Sequence, residues 1–402
     1  MIDLATAQAM VMGSVRALEP VRVSAADALG LVLGEAIVAE ANVPPFANTA
    51  MDGYAVRAVD TADAPVELLV VAELPAGKAP TVRVGEGEAI RIMTGAPMPE
   101  GADAVVMVER TERVGDRHVR IGNAAKQGDH VRRSGGDVEA GQTVFVAGEL
   151  LTPAHIGVLA SLDVHEVLAY RRPLVGVLST GDELVQSGSL RMGQIRDSNR
   201  PMLTAMLREA GCEPLDLGHA RDDEQVITER IAHGLNTCDA LVTSGAVSVG
   251  DYDFVKIAIE KLAAERGGTY SWSQVAIKPA KPLAFGSIGG TPIFGLPGNP
   301  VSSSVSFELF ARPALRVLSG AREPSRPVVE AIATETFARR PDGKIHFDRV
   351  HVTIDSSGRF RAQRSGAQAS NVLSGMAKAN GLAILEDGDG VGEGESLKVM
   401  LL

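Results

Sequence analysis

Leu174-Val175-Gly176-Val177-Leu178-Ser179-Thr180-Gly181-Asp182-Glu183-Leu184 joins a short apolar run to a loop of small, hydroxyl-bearing and acidic residues. A run apolar on both sides reads as a strand buried on both faces of a sheet. The construction recurs downstream. Residues 239–243 run into Ser244-Gly245-Ala246-Val247-Ser248-Val249-Gly250-Asp251-Tyr252-Asp253. Residues 275–277 run into Lys278-Pro279-Ala280-Lys281-Pro282, and residues 292–296 into Pro297-Gly298-Asn299-Pro300. Residues 212–217 and 283–285 add further strands. Helical patterns lie between them: Ser198-Asn199-Arg200-Pro201 caps and opens one that ends at Gly211, Asp222 starts one reaching Leu235, and another spans 253–265. A closing helix spans 300–318, with Asn299 as its cap. Such alternation predicts a central α/β domain over 171–320, a parallel sheet with helices on both faces.

Outward from it the texture changes. Residues 1–38 read as helix then strand, with Ser24 capping 25–33. Residues 39–135 are strand-like and punctuated by Gly and Pro, with runs at 66–72, 89–93 and 104–109. Residues 136–170 return to strand and helix. The expectation is an elongated N-terminal α+β domain of 1–38 and 136–170, interrupted by an inserted β-rich domain of 39–135. Residues 320–327 read as a linker. Residues 328–402 alternate in hydropathy, with no helix evident, and read as a small β-domain. The fold class is therefore multidomain α/β plus β.

Composition narrows the partners. The net charge is −11 and aromatics are 4% of 402 residues, with one tryptophan, Trp272. That combination gives neither the basic footprint nor the stacking platform of a nucleic-acid binder. Cys212 and Cys238 form no metal or redox motif and read as reduced thiols. Residues 1–20 lack the basic start and apolar core of a signal peptide. The uncharged stretch 282–307 holds Gly and Pro breakers throughout, so it reads as strand, loop and helix start rather than as a membrane span. A soluble cytoplasmic protein with no membrane attachment is expected.

In an open α/β sheet, ligands bind beyond the carboxyl ends of the strands. Here those ends carry glycines, hydroxyls, carboxylates and two lysines. Glycines let backbone N–H groups approach a phosphate, and a helix start adds partial positive charge. Lys278 and Lys281 neutralise phosphate. Asp182, Glu183, Asp251 and Asp253 would repel it unless a hard divalent cation lay between. Taken singly, Gly-Asp-Glu is a turn, the lysine segment a solvated loop and Pro-Gly-Asn-Pro a turn with a cap. Their placement on neighbouring strand ends points to an anion-plus-cation pocket without naming its occupant.

At these residues the chain resembles the molybdopterin molybdenumtransferases, the MoeA family, relatives of the gephyrin E domain. The resemblance runs nearly end to end. It rests on Pro44-Pro45-Phe46 leading to Met51-Asp52-Gly53-Tyr54-Ala55; Arg91-Ile92-Met93-Thr94-Gly95-Ala96 leading to Gly101-Ala102-Asp103-Ala104-Val105-Val106; residues 179–184; residues 244–253; Ala276-Ile277-Lys278-Pro279; and Gly295-Leu296-Pro297-Gly298-Asn299-Pro300-Val301-Ser302.

The resemblance implies a molybdopterin-binding central domain and a barrel-like C-terminal domain. It also implies that molybdate and adenylylated molybdopterin react with a divalent cation such as Mg²⁺, that molybdenum is inserted and that AMP leaves. A homodimer is implied, with transient contacts to molybdopterin adenylyltransferase and molybdoenzyme chaperones. Carried over position by position, Asp52, Thr94, Asp137, Glu183, Asp222 and Asp253 are the catalytic candidates, and Asp182, Glu183 and Asp253 the cation side. Lys278 and Lys281 would hold phosphate or oxyanion. Ser248, Ser302 and the turn Pro297, Gly298, Asn299 and Pro300 would seat the pterin phosphate. Arg349 and Ser370 would bind molybdate or AMP from a partner subunit. Two alternatives stay open: a molybdopterin adenylyltransferase, which usually consists of the α/β module alone, and a non-catalytic molybdopterin-binding scaffold. The chain departs from the family at Ala246 and Ala280, where glycine is usual, and at Gln274, where a lysine is common. If position 246 needs positive φ, alanine costs roughly 1 kcal/mol or more there.

Overall fold

The computed structural model describes residues 1–245 and 254–402. In chain order the central region builds β1 (Leu174–Thr180), α1 (Asn199–Glu209), β2 (Glu213–Ala220), α2 (Glu224–Thr237), β3 (Ala240–Ser244), α3 (Phe254–Arg266), β4 (Gly268–Gln274), β5 (Ile277–Lys278), β6 (Pro282–Ile288), β7 (Thr291–Leu296), α4 (Pro300–Ser306) and α5 (Arg312–Leu318). A π-helical turn, Phe307–Ala311, joins α4 to α5 in one rod.

The central sheet runs β2-β1-β3-β7-β6-β4. Its first four strands are parallel. The last two are antiparallel. The hairpin between β6 and β7 explains the reversal: Gly289 and Gly290 both take positive φ, 56° and 91°, between the paired residues Ile288 and Thr291. Two left-handed residues are what a tight two-residue hairpin needs, and glycine takes that conformation freely. Neighbouring side chains alternate between the faces. Val175, Val177, Val242, Phe294 and Leu296 pack with α1, α4, α5 and the N-terminal helix. Leu178, Leu241 and Ile293 pack with α2 and α3 through Ile227, Ile231, Ile259 and Leu262.

The uncharged stretch 282–307 divides into β6, the hairpin turn, β7 and the start of the α4 rod. Among the described residues no helix is long and apolar enough to cross a membrane.

The C-terminal region adds β8 (Val328–Ala333), β9 (Ile345–Ile354), β10 (Phe360–Arg364), β11 (Gly381–Leu385) and β12 (Ser396–Leu401). β9 pairs with β10, β10 with β8, β8 with β12, β12 with β11, and β11 again with β9. The five strands thus close into a barrel, which leaves no free edge. Phe337, Val350, Val352, Leu385 and Val399 fill it. β5 pairs with the start of β9 and joins the central hairpin to the barrel.

Toward the N-terminus, helix Leu4–Gly13 lies against the α4–α5 rod, and Leu18 N donates to Leu318 O at 2.9 Å. Strands Val21–Ser24, Val32–Leu33 and Glu166–Tyr170 share one sheet. Thr143–Phe145 pairs with Ile37–Val38. Residues 53–121 form a separate six-stranded sheet in the order Ala104–Met107, Gly53–Val56, Glu88–Ile92, Val66–Leu74, His118–Ile121, Thr111–Val114.

Local expectations are corrected in several places. The seven-residue β4 is not legible in the sequence, and the strand expected at 275–277 is reduced to Ile277–Lys278, with Val275 making an isolated bridge to Ile2. Its sequence Gly-Thr-Tyr-Ser-Trp-Ser-Gln is polar because β4 is an edge strand with one wet side. Ser24 precedes only a short 3₁₀ turn and caps nothing. Ser198 makes no cap bond; Asp197 Oδ1 accepts from Arg200 N instead, at 3.2 Å. Asp223, not Asp222, caps α2, accepting from Val226 N at 2.9 Å. Asn299 makes no side-chain cap bond. A short helix, Leu373–Ala377, lies in the C-terminal region.

Candidate functional site

A cavity of about 470 Å³ opens at the carboxyl ends of β1, β3 and β7. Thr180 and Glu183 reach it from the loop after β1, Ser244 and Gly245 from the end of β3, and Pro297, Gly298, Asn299 and Pro300 from the turn after β7. Ser198 and Asn199 enter from the start of α1, and Pro282 from the start of β6. The mouth is built from glycine conformations that alanine would not reproduce. Gly181 has φ 137°, and a Cβ there would lie 2.4 Å from Glu183 Oε2. Gly245 has φ 102°, and its Cβ would lie 2.7 Å from Thr180 O. The backbone is folded tightly so that Glu183 and Thr180 can share one rim. His219 Nε2 supports that fold from β2, 2.8 Å from Gly181 O.

Beside this rim, Asp182 and Asp222 face each other. Asp182 N donates to Asp222 Oδ2 at 3.4 Å, and Asp222 N donates to Asp182 Oδ1 at 3.3 Å. The strand ends thus gather Asp182, Glu183 and Asp222 on adjoining loops. Among the described residues no three acidic, histidine or cysteine side chains close on one point. Asp253 and Ser248 lie outside the described residues.

Lys278 does not line this cavity. It lines a second one of about 620 Å³, with Pro279, Arg339, Arg340, Asp342, His346, Asp348, Arg364, Gln368 and Ala369. Lys278, Arg339, Arg340 and Arg364 share its wall with the carboxylates Asp342 and Asp348. Arg339 is paired with Asp342 and Asp387, and Arg364 with Asp348. The hydrogen bond from Lys344, together with His346, holds the Asp342 carboxyl down at about 2. Lys281 is exposed on the same hairpin and lines neither cavity.

Arg349, expected to bind molybdate or AMP from a partner subunit, packs within its own chain here. It is fully buried on the outer face of β9, opposite the barrel core residue Val350 and beneath the segment 367–369. Nη2 donates to Ala367 O at 2.7 Å and to Ala369 O at 3.2 Å, while Nε and Nη1 have no partner among the described residues. Desolvation lowers its pKa, opposed by the nearby Asp348. Ser370 also sits against its own chain: its carbonyl accepts from Val301 N at 3.1 Å, where α4 begins. Ser302 is buried in the first turn of the same helix.

Asp52 and Thr94 meet on the six-stranded sheet. Asp52 Oδ1 accepts from Thr94 Oγ1 at 2.6 Å and from Thr94 N at 2.7 Å. Those bonds lower the Asp52 pKa. Both residues are exposed, and neither lines either cavity. Asp137 is exposed too, its N–H donating to Val43 O at 3.0 Å.

Sequence reasoning missed Asn199, Ser244 and Thr180 at the first cavity, and Arg339, Arg340, His346 and Arg364 at the second. Ser-Asn at a helix start was legible as a cap, and that local reading hid its place in the cavity wall. The arginines gave no local signal, because the barrel alone brings residues 339, 346 and 364 to one mouth.

Comparison with known proteins matches three consecutive segments to family descriptions. Residues 2–162 match the "MoeA N-terminal region (domain I and II)", 176–317 the "Probable molybdopterin binding domain", and 331–402 the "MoeA C-terminal region (domain IV)". The chain is 42% identical over 400 residues to molybdopterin molybdenumtransferase 2 of Mycobacterium tuberculosis (strain H37Rv), covering 98% of this chain and 97% of that protein. It is 38% identical over 376 residues to the molybdopterin molybdenumtransferase of Haemophilus influenzae, covering 93% and 91%. Among solved structures, the molybdopterin biosynthesis moeA protein of Pyrococcus horikoshii OT3 superposes with a TM-score of 0.84 at 29% identity, over the full length of both chains.

Proposed function

The chain belongs to the MoeA family of molybdopterin molybdenumtransferases, and from that membership we propose that its strand-end cavity seats adenylylated molybdopterin while molybdate is received beside the lysine hairpin. The protein is a transferase of molybdenum cofactor biosynthesis that inserts molybdenum into molybdopterin. The observation that carries the site assignment is the convergence of Glu183, Ser244 and the turn 297–300 on one cavity at the carboxyl ends of parallel strands.

In this reading the pterin phosphate lies toward Gly298, Asn299 and Ser302 at the start of the α4 rod, where the helix dipole favours negative charge. Ser248 adds a hydroxyl. Lys278 counters the charge of the incoming oxyanion at the second cavity, and Lys281, exposed on the same hairpin, adds positive charge nearby. Arg349 and Ser370 belong to the molybdate side. A buried guanidinium with Nε and Nη1 unspent is costly, and an oxyanion would satisfy these nitrogens.

Asp182 and Glu183 would hold a hard divalent cation of the Mg²⁺ type, which takes one or two carboxylates and completes its shell with phosphate oxygens and water. Asp253 would join them. When bound, such a cation supplies charge neutralisation at the adenylate linkage. The residues of this chain orient the phosphate, hold molybdate next to the dithiolene and exclude water. Cleavage of the adenylate and release of AMP accompany the transfer.

We also propose that residues 1–38 with 136–170 form the dimer-forming unit, 39–135 the inserted unit, 171–320 the pterin unit and 328–402 the barrel. Val38, Val146 and Leu150 are exposed apolar residues of the first unit. Asp52, Thr94 and Asp137 are exposed and line neither of the two cavities above, and in this reading they serve a second subunit. The direct test is to incubate the pure protein with adenylylated molybdopterin, molybdate and Mg²⁺. AMP release, with product that activates a molybdenum-free apoenzyme, is expected. AMP release that does not depend on molybdate, or ATP-dependent adenylylation of molybdopterin, would overturn the reading.

A further inference from the structure

Asn199 has a feature that the site assignment leaves unused. The residue opens α1, is 8% exposed, and lines the strand-end cavity. Its amide orientation is settled by chemistry. Nδ2 lies 2.7 Å from Gly298 O, and a carbonyl oxygen only accepts, so the atom facing it is the NH₂. The same nitrogen lies 2.8 Å from Ser244 Oγ. Both donors are therefore spent, on the β3 end and on the closing turn. Among the described residues Oδ1 is left buried without a partner. A buried acceptor without a donor calls for a partner from outside the chain, and at a cavity wall a ligand can supply it.

We propose that Asn199 reads the pterin ring, its Oδ1 accepting a hydrogen bond from the donor edge of the pyrimidinone, the 2-amino group and N3–H. This rests on the cavity being the pterin site. Phosphate and dithiolate groups have no donor at neutral pH, so this acceptor cannot serve them. It divides the cavity by chemistry: the closing turn and α4 face the anion, and the start of α1 faces the heterocycle. The anchoring of Nδ2 gives the division its rigidity, because the amide cannot flip without breaking bonds to two loops. A ring that presents an acceptor at this position would face Oδ1 with like charge and be rejected.

The test compares 6-hydroxymethylpterin with 6-hydroxymethyllumazine, its 2-oxo counterpart, by fluorescence titration of the full chain, with AMP as a third probe. The wild type should prefer the pterin by about tenfold or more. Asn199→Ala should reduce that preference to about threefold or less, with AMP binding unchanged. Ser244→Ala, which removes one anchor and keeps Oδ1, should retain the preference and shows that a shifted loop alone does not abolish it. An Asn199→Ala protein with wild-type preference overturns the assignment of Asn199 while leaving the pterin site standing. Loss of AMP binding together with pterin assigns Oδ1 to adenine or to structure, and also overturns it. Wild-type protein that binds neither ring overturns the pterin site itself.

Discussion

Lys278 and His346 are register partners in the two-residue parallel pairing of β5 with β9, so main-chain bonds tie the lysine hairpin of the central sheet to the barrel. Ile345 N donates to Ala276 O at 2.9 Å in the same seam. A loop that reads as solvent-exposed is in fact stitched into another sheet, beside a histidine.

That neighbour gives the second cavity a pH dependence. Burial lowers the His346 pKa below its ordinary 6.5; Arg339 and Lys278 add to the effect and Asp342 opposes it. The neutral ring is therefore favoured in the folded state. As pH falls below 6.5 the unfolded chain takes up the proton first, so this contribution to stability is present above 6.5 and is lost on acidification. Wild type should lose more thermal stability than His346→Gln between pH 7 and pH 5. Equal losses in differential scanning calorimetry would remove His346 from the account.

Ala280 carries strain. Its φ is 72°, in the left-handed region, and it is buried at 2% exposure. That conformation costs alanine about 1–2 kcal/mol, and a glycine would return it minus about 0.4–1 kcal/mol for a more flexible unfolded chain. Ala280→Gly should therefore stabilise by roughly 0.5–1 kcal/mol. A lowered denaturation midpoint at unchanged slope would contradict this.

Arg326 sits at the start of the barrel and clasps the α4–α5 rod. Its Nε is 3.0 Å from Glu308 Oε2, and its Nη2 reaches Glu308 Oε1 at 3.2 Å and Glu209 at 2.8 Å. Glu308 is 3% exposed. Removing the arginine strands a buried carboxylate, with Arg312 as a more distant partner at 3.8 Å. Arg326→Ala should cost about 3 kcal/mol, and Arg326→Ala with Glu308→Gln considerably less. Additive losses in the double variant would show that the pair is not coupled.

Shared active sites make a prediction about mixed subunits. Asp52→Ala and Glu183→Ala homodimers should each be inactive. If Asp52 serves the cavity of the other subunit, co-refolded mixtures should recover about a quarter of wild-type activity, from one intact site in each heterodimer. No recovery would place Asp52 and Glu183 in the same site.

The apolar runs of β1, β3 and β7, the glycines that turn at their ends, and the acids and lysines that follow were legible from sequence, because burial and turn geometry are imposed residue by residue on neighbours in the chain. The class of fold and the position of a strand-end site followed from them. Which loops share a cavity did not. Glu183 meets Asn199 and Ser244, Lys278 turns away to meet His346, and Arg349 is sealed under carbonyls 367 and 369, through contacts between residues tens to hundreds of positions apart. Those contacts depend on how the hairpin after β4 reverses the sheet edge and how the barrel closes. A local pattern records which side chains must be buried. Only the packing of whole elements against one another decides which of them face each other across a site.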